Sequence, residues 1–266
     1  MTLDDVVILI PVFNAQADLE RTLASFCEAA LVRVLVVDDG SLPPISAPSL
    51  KGLTVEIMRM PRNGGIERAL QAGIETLAAR GVKYAARIDA GDLATPHRLE
   101  KQRGYMEAHP EVAVLGMWTH VVSAEGAPLF DLAPPADPAA IRRSVLMRSC
   151  FSHPSLMLRV AAVVDAGNYR ADYRAAEDLD LILRLLRHHD GANLPEFGLY
   201  YELNEHGISA TRRRVQTLST LRLQLRYFRP GNAPDWIGVA KSLAHLALPY
   251  AALRRLKTRL LRGPAA

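Results

Sequence analysis

Residues 34–41, Val34-Leu35-Val36-Val37-Asp38-Asp39-Gly40-Ser41, are an apolar run that breaks directly into two acids and a turn. Four apolar residues in a row, without alternation, mark a strand covered on both faces, as in a parallel sheet between helix layers. The residues before it complete a β-α-β unit. Val6-Val7-Ile8-Leu9-Ile10 is a first strand bounded by Pro11, and Leu19, Leu23 and Phe26 recur at i, i+4 and i+7 with Asp18, Glu20 and Arg21 between them. The pattern repeats, with Val55-Glu56-Ile57-Met58 as a strand, Ile66 to Ala79 as a helix after the Asn63-Gly64-Gly65 turn, and Tyr84-Ala85-Ala86-Arg87-Ile88 as a strand running into Asp89-Ala90-Gly91-Asp92. Such alternation predicts an α/β, Rossmann-like, mostly parallel sheet flanked by helices.

Further along, Pro96 opens a helix through about His109, and Val112-Ala113-Val114-Leu115-Gly116 reads as another strand. The alternation then loosens. Pro128, Pro134, Pro135 and Pro138 mark a connecting region, Ser155-Leu156-Met157-Leu158 reads as a strand, and Glu177 to His189 has the period of a helix with Leu181, Leu185 and Leu186 on its apolar side. A change in charge near Thr211 divides the chain into an expected catalytic-sized domain at 1–211 and a basic amphipathic helical extension at 212–266.

The net charge of +4 conceals that change, because residues 212–262 hold twelve of the 32 Lys/Arg and one, Asp235, of the 28 acids. An acidic body argues against a nucleic-acid-binding surface. In the tail, Leu218, Leu221, Leu225 and Phe228 alternate with Arg222, Arg226 and Arg229, and Leu253, Leu256 and Leu260 with Arg254, Arg255, Lys257 and Arg259. Amphipathic basic helices of this kind predict peripheral contact with an anionic bilayer through residues 212–262, the alternative being a helix pair packed on the body or on a second subunit. The stretch from Trp236 to Leu253 is too short and too interrupted by Lys241, His245 and Pro249 to span. Asp4 and Asp5 stand where an export signal needs positive charge, and Cys27 and Cys150 lack metal-type spacing, so both are expected to be buried thiols of a cytoplasmic protein.

Acids at the carboxyl ends of parallel strands meet at one site, where they can hold a cation or read a nucleotide. Taken in order, Ile10-Pro11-Val12-Phe13-Asn14, Val36 to Ser41, Asn63-Gly64-Gly65, Asp89 to Asp92 with Pro96 to Gln102, His153-Pro154-Ser155 and Glu177 to Asp180 resemble a family 2 glycosyltransferase of the GT-A fold. The resemblance spans roughly residues 6–210, and the tail lies outside it.

That resemblance implies an inverting enzyme. It would move a sugar from a nucleotide-diphosphate donor to a hydroxyl of a lipid-linked or growing surface glycan, at the inner face of the membrane. It assigns Pro11, Phe13, Asn14, Asp39, Gly65, Asp89 and Arg98 to the nucleotide-sugar, and Asp92, Asp89 and His206 to a Mn²⁺ or Mg²⁺ ion. Asp178 takes the role of general base, with His153 and Glu177 on the acceptor side. Gly91 departs from the family's pattern, which carries an acid there, and predicts weaker metal binding. Arg98 has a second reading as a salt bridge with Glu100 or Asp92. Two other functions compete: a sugar-nucleotide nucleotidyltransferase, which would need a Gly- and Arg/Lys-rich loop that residues 11–18 lack, and a non-catalytic nucleotide-sugar-binding scaffold.

Overall fold

The computed structural model describes residues 2–203 and 213–247. Strand β1 (Val6–Val12) lies at the centre of a four-strand parallel block with β2 (Val32–Asp38), β3 (Leu53–Arg59) and β4 (Tyr84–Arg87), in the order β3-β2-β1-β4. The expected alternation shows directly in the packing. Val7, Leu9, Leu35 and Val37 point into one apolar layer and Ile8, Ile10, Val34 and Val36 into the other, so the unbroken apolar run is buried on both sides. Helix α1 (Gln16–Ala24) sends Leu19 and Leu23 into the second layer, and α2 (Ile66–Ala79) sends Ala69, Leu70, Ile74 and Leu77 into the first.

The sheet continues with mixed strand directions. Beside β4 runs antiparallel β8 (Met157–Arg159), then β6 (Val112–Val122), which pairs in parallel with the long β9 (Asp190–Glu202); the two-residue β5 (Leu93–Ala94) closes that edge and β7 (Pro128–Leu132) hairpins onto β6. Helices α3 (Arg98–Ala108), α4 (Pro138–Ser144), α5 (Val160–Asp165) and α6 (Glu177–Leu185) fill the connections. Strand β9 escaped sequence reading because Pro195 interrupts it. Leu194 pairs with Met117 and Phe197 with Trp118, so residues 195 and 196 bulge out where the proline has no N–H to give.

The described part of the tail is a helix pair docked on the body. Helix α7 (Arg213–Arg226) buries Ser219, Leu223 and Gln224, helix α8 (Ala233–Ala247) buries Asp235, Gly238 and Ser242, and Leu223 is fully buried in the core. Gln224 Nε2 donates to the Leu146 carbonyl (2.8 Å), Asn232 Nδ2 to that of Arg143 (2.8 Å) and Arg229 to that of Arg142 (2.6 Å). Arg229 also clasps the buried Asp235 carboxylate. Of the expected apolar stripe, Leu218 and Leu225 are exposed and Leu221 and Phe228 half-buried, and Trp236 of α8 is exposed as well. Carbonyls of residues 142–146 call for donors, so a polar face with one leucine docks and Leu218 and Leu225 are left outside. The predicted boundary at 211 and the second basic stripe from Leu253 lie outside the described residues.

Gly238 makes that docking close, since a Cβ there would overlap the Leu146 carbonyl. Gly238→Ala is therefore expected to lower stability by about 1–3 kcal/mol, the usual effect of overpacking, in urea denaturation; wild-type stability would mean that α8 does not pack as described. Cys27 corrects another expectation. It is exposed in the loop after α1, while Cys150 is buried and burial raises its thiol pKa.

Candidate active site

The Asp38-Asp39-Gly40-Ser41 turn at the end of β2 splits its two acids between different tasks. Asp38 is fully buried and accepts from the N–H groups of Ser41 (2.8 Å) and Ile45 (3.3 Å) and from Arg59 (2.8 Å). Burial pushes its pKa up, but these partners outweigh it and hold the group below the usual range. Asp39 turns the other way, and its two oxygens accept from the N–H groups of Gly64 (2.7 Å) and Gly65 (2.9 Å). The two loops touch at Gly40, where φ is +77° and any Cβ would press on the Arg62–Asn63 backbone. Between them opens a cavity of about 630 Å³, lined by Pro11, Phe13, Asp39, Gly65, Glu67 and Arg174 among others. Its size suits a small-molecule ligand. The Phe13 ring is half exposed on its wall.

At the end of β4 a buried arginine organises the second acidic group. Arg87 donates to Asp89 (2.5 Å), while its Nε and Nη1 are buried without a protein partner. Its charge acts on Asp92, Glu177, Asp178, His153 and Tyr169, which places these groups around it. Asp92 is 3 % exposed; Oδ1 accepts from the Glu202 N–H (3.2 Å), whereas Oδ2 is buried with no partner. Burial, and then the charge of Asp89, push the Asp92 pKa well up. Two carboxylates forced together with one oxygen orphaned fit a divalent cation, which relieves both penalties and completes its shell with water. Gly91, at φ +106°, faces open space where the family's third acid would project. A separate group, Glu28, His97 and Glu100, has carboxylate oxygens engaged by N–H groups at the start of α3 and at Ala29.

Glu177 and Asp178 open α6. They follow Ala175, a non-glycine residue held at φ +58°. Left-handed backbone of this kind is strained and persists where its surroundings enforce it. The segment is a partition: Arg174 lines the first cavity, whereas Ala175, Ala176 and Asp178 line a second one of about 250 Å³ under α7 and α8. Burial raises the pKa of Asp178. A more basic carboxylate is a better proton acceptor.

These motifs have counterparts in known proteins. Residues 7–132 match the model of Glycosyl transferase family 2. The Erwinia amylovora "Amylovoran biosynthesis glycosyltransferase AmsE" is 31% identical over 71% of this chain and 73% of its own length. The chain belongs to glycosyltransferase family 2. Among solved structures, S. aureus TarS 1-349 in complex with UDP-GlcNAc superposes with a TM-score of 0.66 at 16% identity, covering 97% of this chain and 77% of that one. The mannosyltransferase PcManGT from Pyrobaculum calidifontis, in complex with GDP-Man and Mn²⁺, gives 0.63 at 15% identity, covering 98% and 81%. The fold is GT-A, as expected.

Within this family 2 glycosyltransferase, Pro11, Phe13, Asp39 and Gly65 together line the first cavity. Asn14 is a brace: its N–H donates to Ser41 and its side chain accepts from Leu42. Arg98 is corrected on both readings. It is fully buried, donates to the carbonyls of Arg87 (2.7 Å) and Pro154 (3.1 Å), and makes no salt bridge with Glu100 or Asp92. It therefore supports the end of β4 from below. His153 and Glu177 are not among the residues that line the second cavity. His153 Nε2 hydrogen-bonds the Tyr169 hydroxyl (2.9 Å), and burial holds it neutral. His206 lies outside the described residues. Sequence reading missed Arg87, whose signal was a cation at the end of an apolar strand, as well as Tyr169 and Arg174.

Glu177 gives the site a pH signature. Burial, then Asp178 beside it, raise its pKa from 4.5 to about 7. Its stabilising protonated form is therefore present below 4.5 and lost as the pH rises through about 7. Glu177→Gln is expected to make the metal-free protein about 2–3 kcal/mol more stable than wild type at pH 8, with the gain fading toward pH 5. Urea denaturation at the two pH values measures this, and a gain equal at both would assign the effect to something other than ionisation.

Proposed function

We propose that the protein is an inverting glycosyltransferase that takes a nucleoside-diphosphate sugar in the Asp39 cavity and transfers the sugar to a hydroxyl of a lipid-linked or growing glycan. The observation that carries this reading is a pair of cavities walled by one segment, residues 174–178, with Arg174 on the first and Asp178 on the second. Phe13 offers a face for a base to stack on, and Asp39, held by two N–H groups, keeps lone pairs free to accept from the base. Asp178 removes the proton of the acceptor hydroxyl. As it does so, the acceptor oxygen bonds to the anomeric carbon from the face opposite the diphosphate, the bond from that carbon to the diphosphate oxygen breaks, and the nucleoside diphosphate leaves with the electron pair.

Asp92 and Asp89 would hold Mn²⁺ or Mg²⁺. When bound, the ion neutralises charge growing on the leaving diphosphate. Arg87 keeps these acids and Asp178 in one electrostatic neighbourhood. The solved relatives bind UDP-GlcNAc in one case and GDP-Man with Mn²⁺ in the other, and the AmsE name refers to biosynthesis of amylovoran, which supports this donor class and a glycan acceptor.

No helix among the described residues is long and apolar enough to cross a membrane. The outward stripe of Leu218, Leu225 and Trp236 beside Arg222 supports peripheral contact with the inner face of a membrane. A thermal-shift screen of UDP, GDP, dTDP and CMP derivatives with and without Mn²⁺ tests the donor reading. One nucleotide is expected to stabilise the protein, by about 2.7 kcal/mol at a hundred times its Kd. No stabilisation by any of them contradicts the reading.

A further inference from the structure

We infer that the cavity between residues 145–151, the start of α6 and the two C-terminal helices seats a phosphate group of the acceptor, with Arg148 and Lys241 as its cations. The inference rests on the transferase reading, since it takes the second cavity as the acceptor's. Asp178 is the one acid among the described residues of its wall, whereas Arg148, Lys241 and His245 bring positive charge. Arg148 and Lys241 form no ion pair among the described residues, unlike Arg229, which is spent on Asp235. Unpaired cations converging on a concave surface are a seat for an anion. Burial, and then the charges of Arg213 and Lys241, hold His245 below its usual range, which fits positive potential gathered here.

The rest of the wall completes an acceptor-shaped site. Leu146, Phe151 and Ile182 give it an apolar side, and Gln224 Oε1 is buried there without a partner, an acceptor for a sugar hydroxyl. A sugar carried on a phosphate would thus place its anion against α8 while one hydroxyl reaches Asp178. The first cavity differs, with Asp39 and Glu67 beside the single cation Arg174. The same phosphate chemistry occurs in a lipid-linked sugar and in a free sugar phosphate.

Calorimetric titration in EDTA with farnesyl diphosphate, glucose 1-phosphate and farnesol tests the inference on the full chain. At least one of the two anions is expected to bind, with a Kd raised about tenfold or more by Arg148→Gln with Lys241→Gln and unchanged by Asp39→Asn. Binding of farnesyl diphosphate alone assigns a lipid-linked source, whereas equal binding of glucose 1-phosphate assigns the phosphate itself. The inference is overturned by four outcomes: farnesol binding as tightly as its diphosphate, an unaffected double variant, loss in Asp39→Asn instead, or no binding of either anion at millimolar concentration. Both substituted side chains are exposed, so a melting temperature equal to wild type confirms that the double variant folds. Nucleotide stabilisation is read in wild type beside the anion titrations: if wild type is stabilised by a nucleotide but binds neither anion, the acceptor inference falls and the donor reading stands.

Discussion

Asp178→Asn is expected to reduce sugar transfer by about 10²–10⁴-fold, the range that a general base supplies. Nucleotide affinity is expected to stay within about twofold, because the cavity proposed for the donor is bounded by Arg174 and not by Asp178. The substitution keeps the size of the side chain, and an amide oxygen can still accept from the Leu179 N–H that Asp178 now engages at 2.7 Å. The loss is therefore chemical. It should appear in kcat, with the KM of the donor little changed, in an assay of nucleoside diphosphate release with acceptor present. Near-normal turnover would remove Asp178 from the mechanism and leave the raised pKa as a consequence of burial alone.

Asp39→Ala is expected to strike binding and folding together. Its carboxylate is the joint between the turn after β2 and the Asn63-Gly64-Gly65 loop, and removing it leaves two N–H groups without their acceptors. Hydrogen bonds to a charged group are each worth about 1.5–3 kcal/mol, and water replaces part of this at the half-buried glycines, so the net loss is expected to be about 2–4 kcal/mol in urea denaturation. Nucleotide affinity is expected to fall about 10–100-fold, since the cavity loses both a contact and a wall. A variant with wild-type stability would show that the loop is held by other means. Wild-type affinity would move the nucleotide elsewhere.

The parallel block was legible because its signals are local. The helix read at Ile66 to Ala79 has those bounds in the structure, and the run into Asp38-Asp39 is a strand buried on both faces. The motif acids also fall where strand-end logic placed them, at the ends of β2 and β4 and the start of α6. What sequence alone could not supply depends on contacts distant along the chain. Strand β9 keeps its pairing with β6 by bulging at Pro195. The docking face of α7 is chosen by the Leu146 carbonyl, 78 residues away, and no period within the helix announces it. Arg98 looked like a surface cation on a helix, yet the carbonyls of Arg87 and Pro154 draw it inside. Arg87 stood in plain view: a cation in a run that must be buried implies a carboxylate partner, and Asp89 follows two residues later.

The stereochemistry of transfer is the most direct test of the central claim, which is a single displacement assisted by Asp178 between a donor cavity and an acceptor cavity. With the donor found by thermal shift and an acceptor it glycosylates, the anomeric proton of the first-formed product is read by ¹H NMR. An α-linked donor is expected to give a β-linked product; a product that retains the donor's configuration would contradict the account.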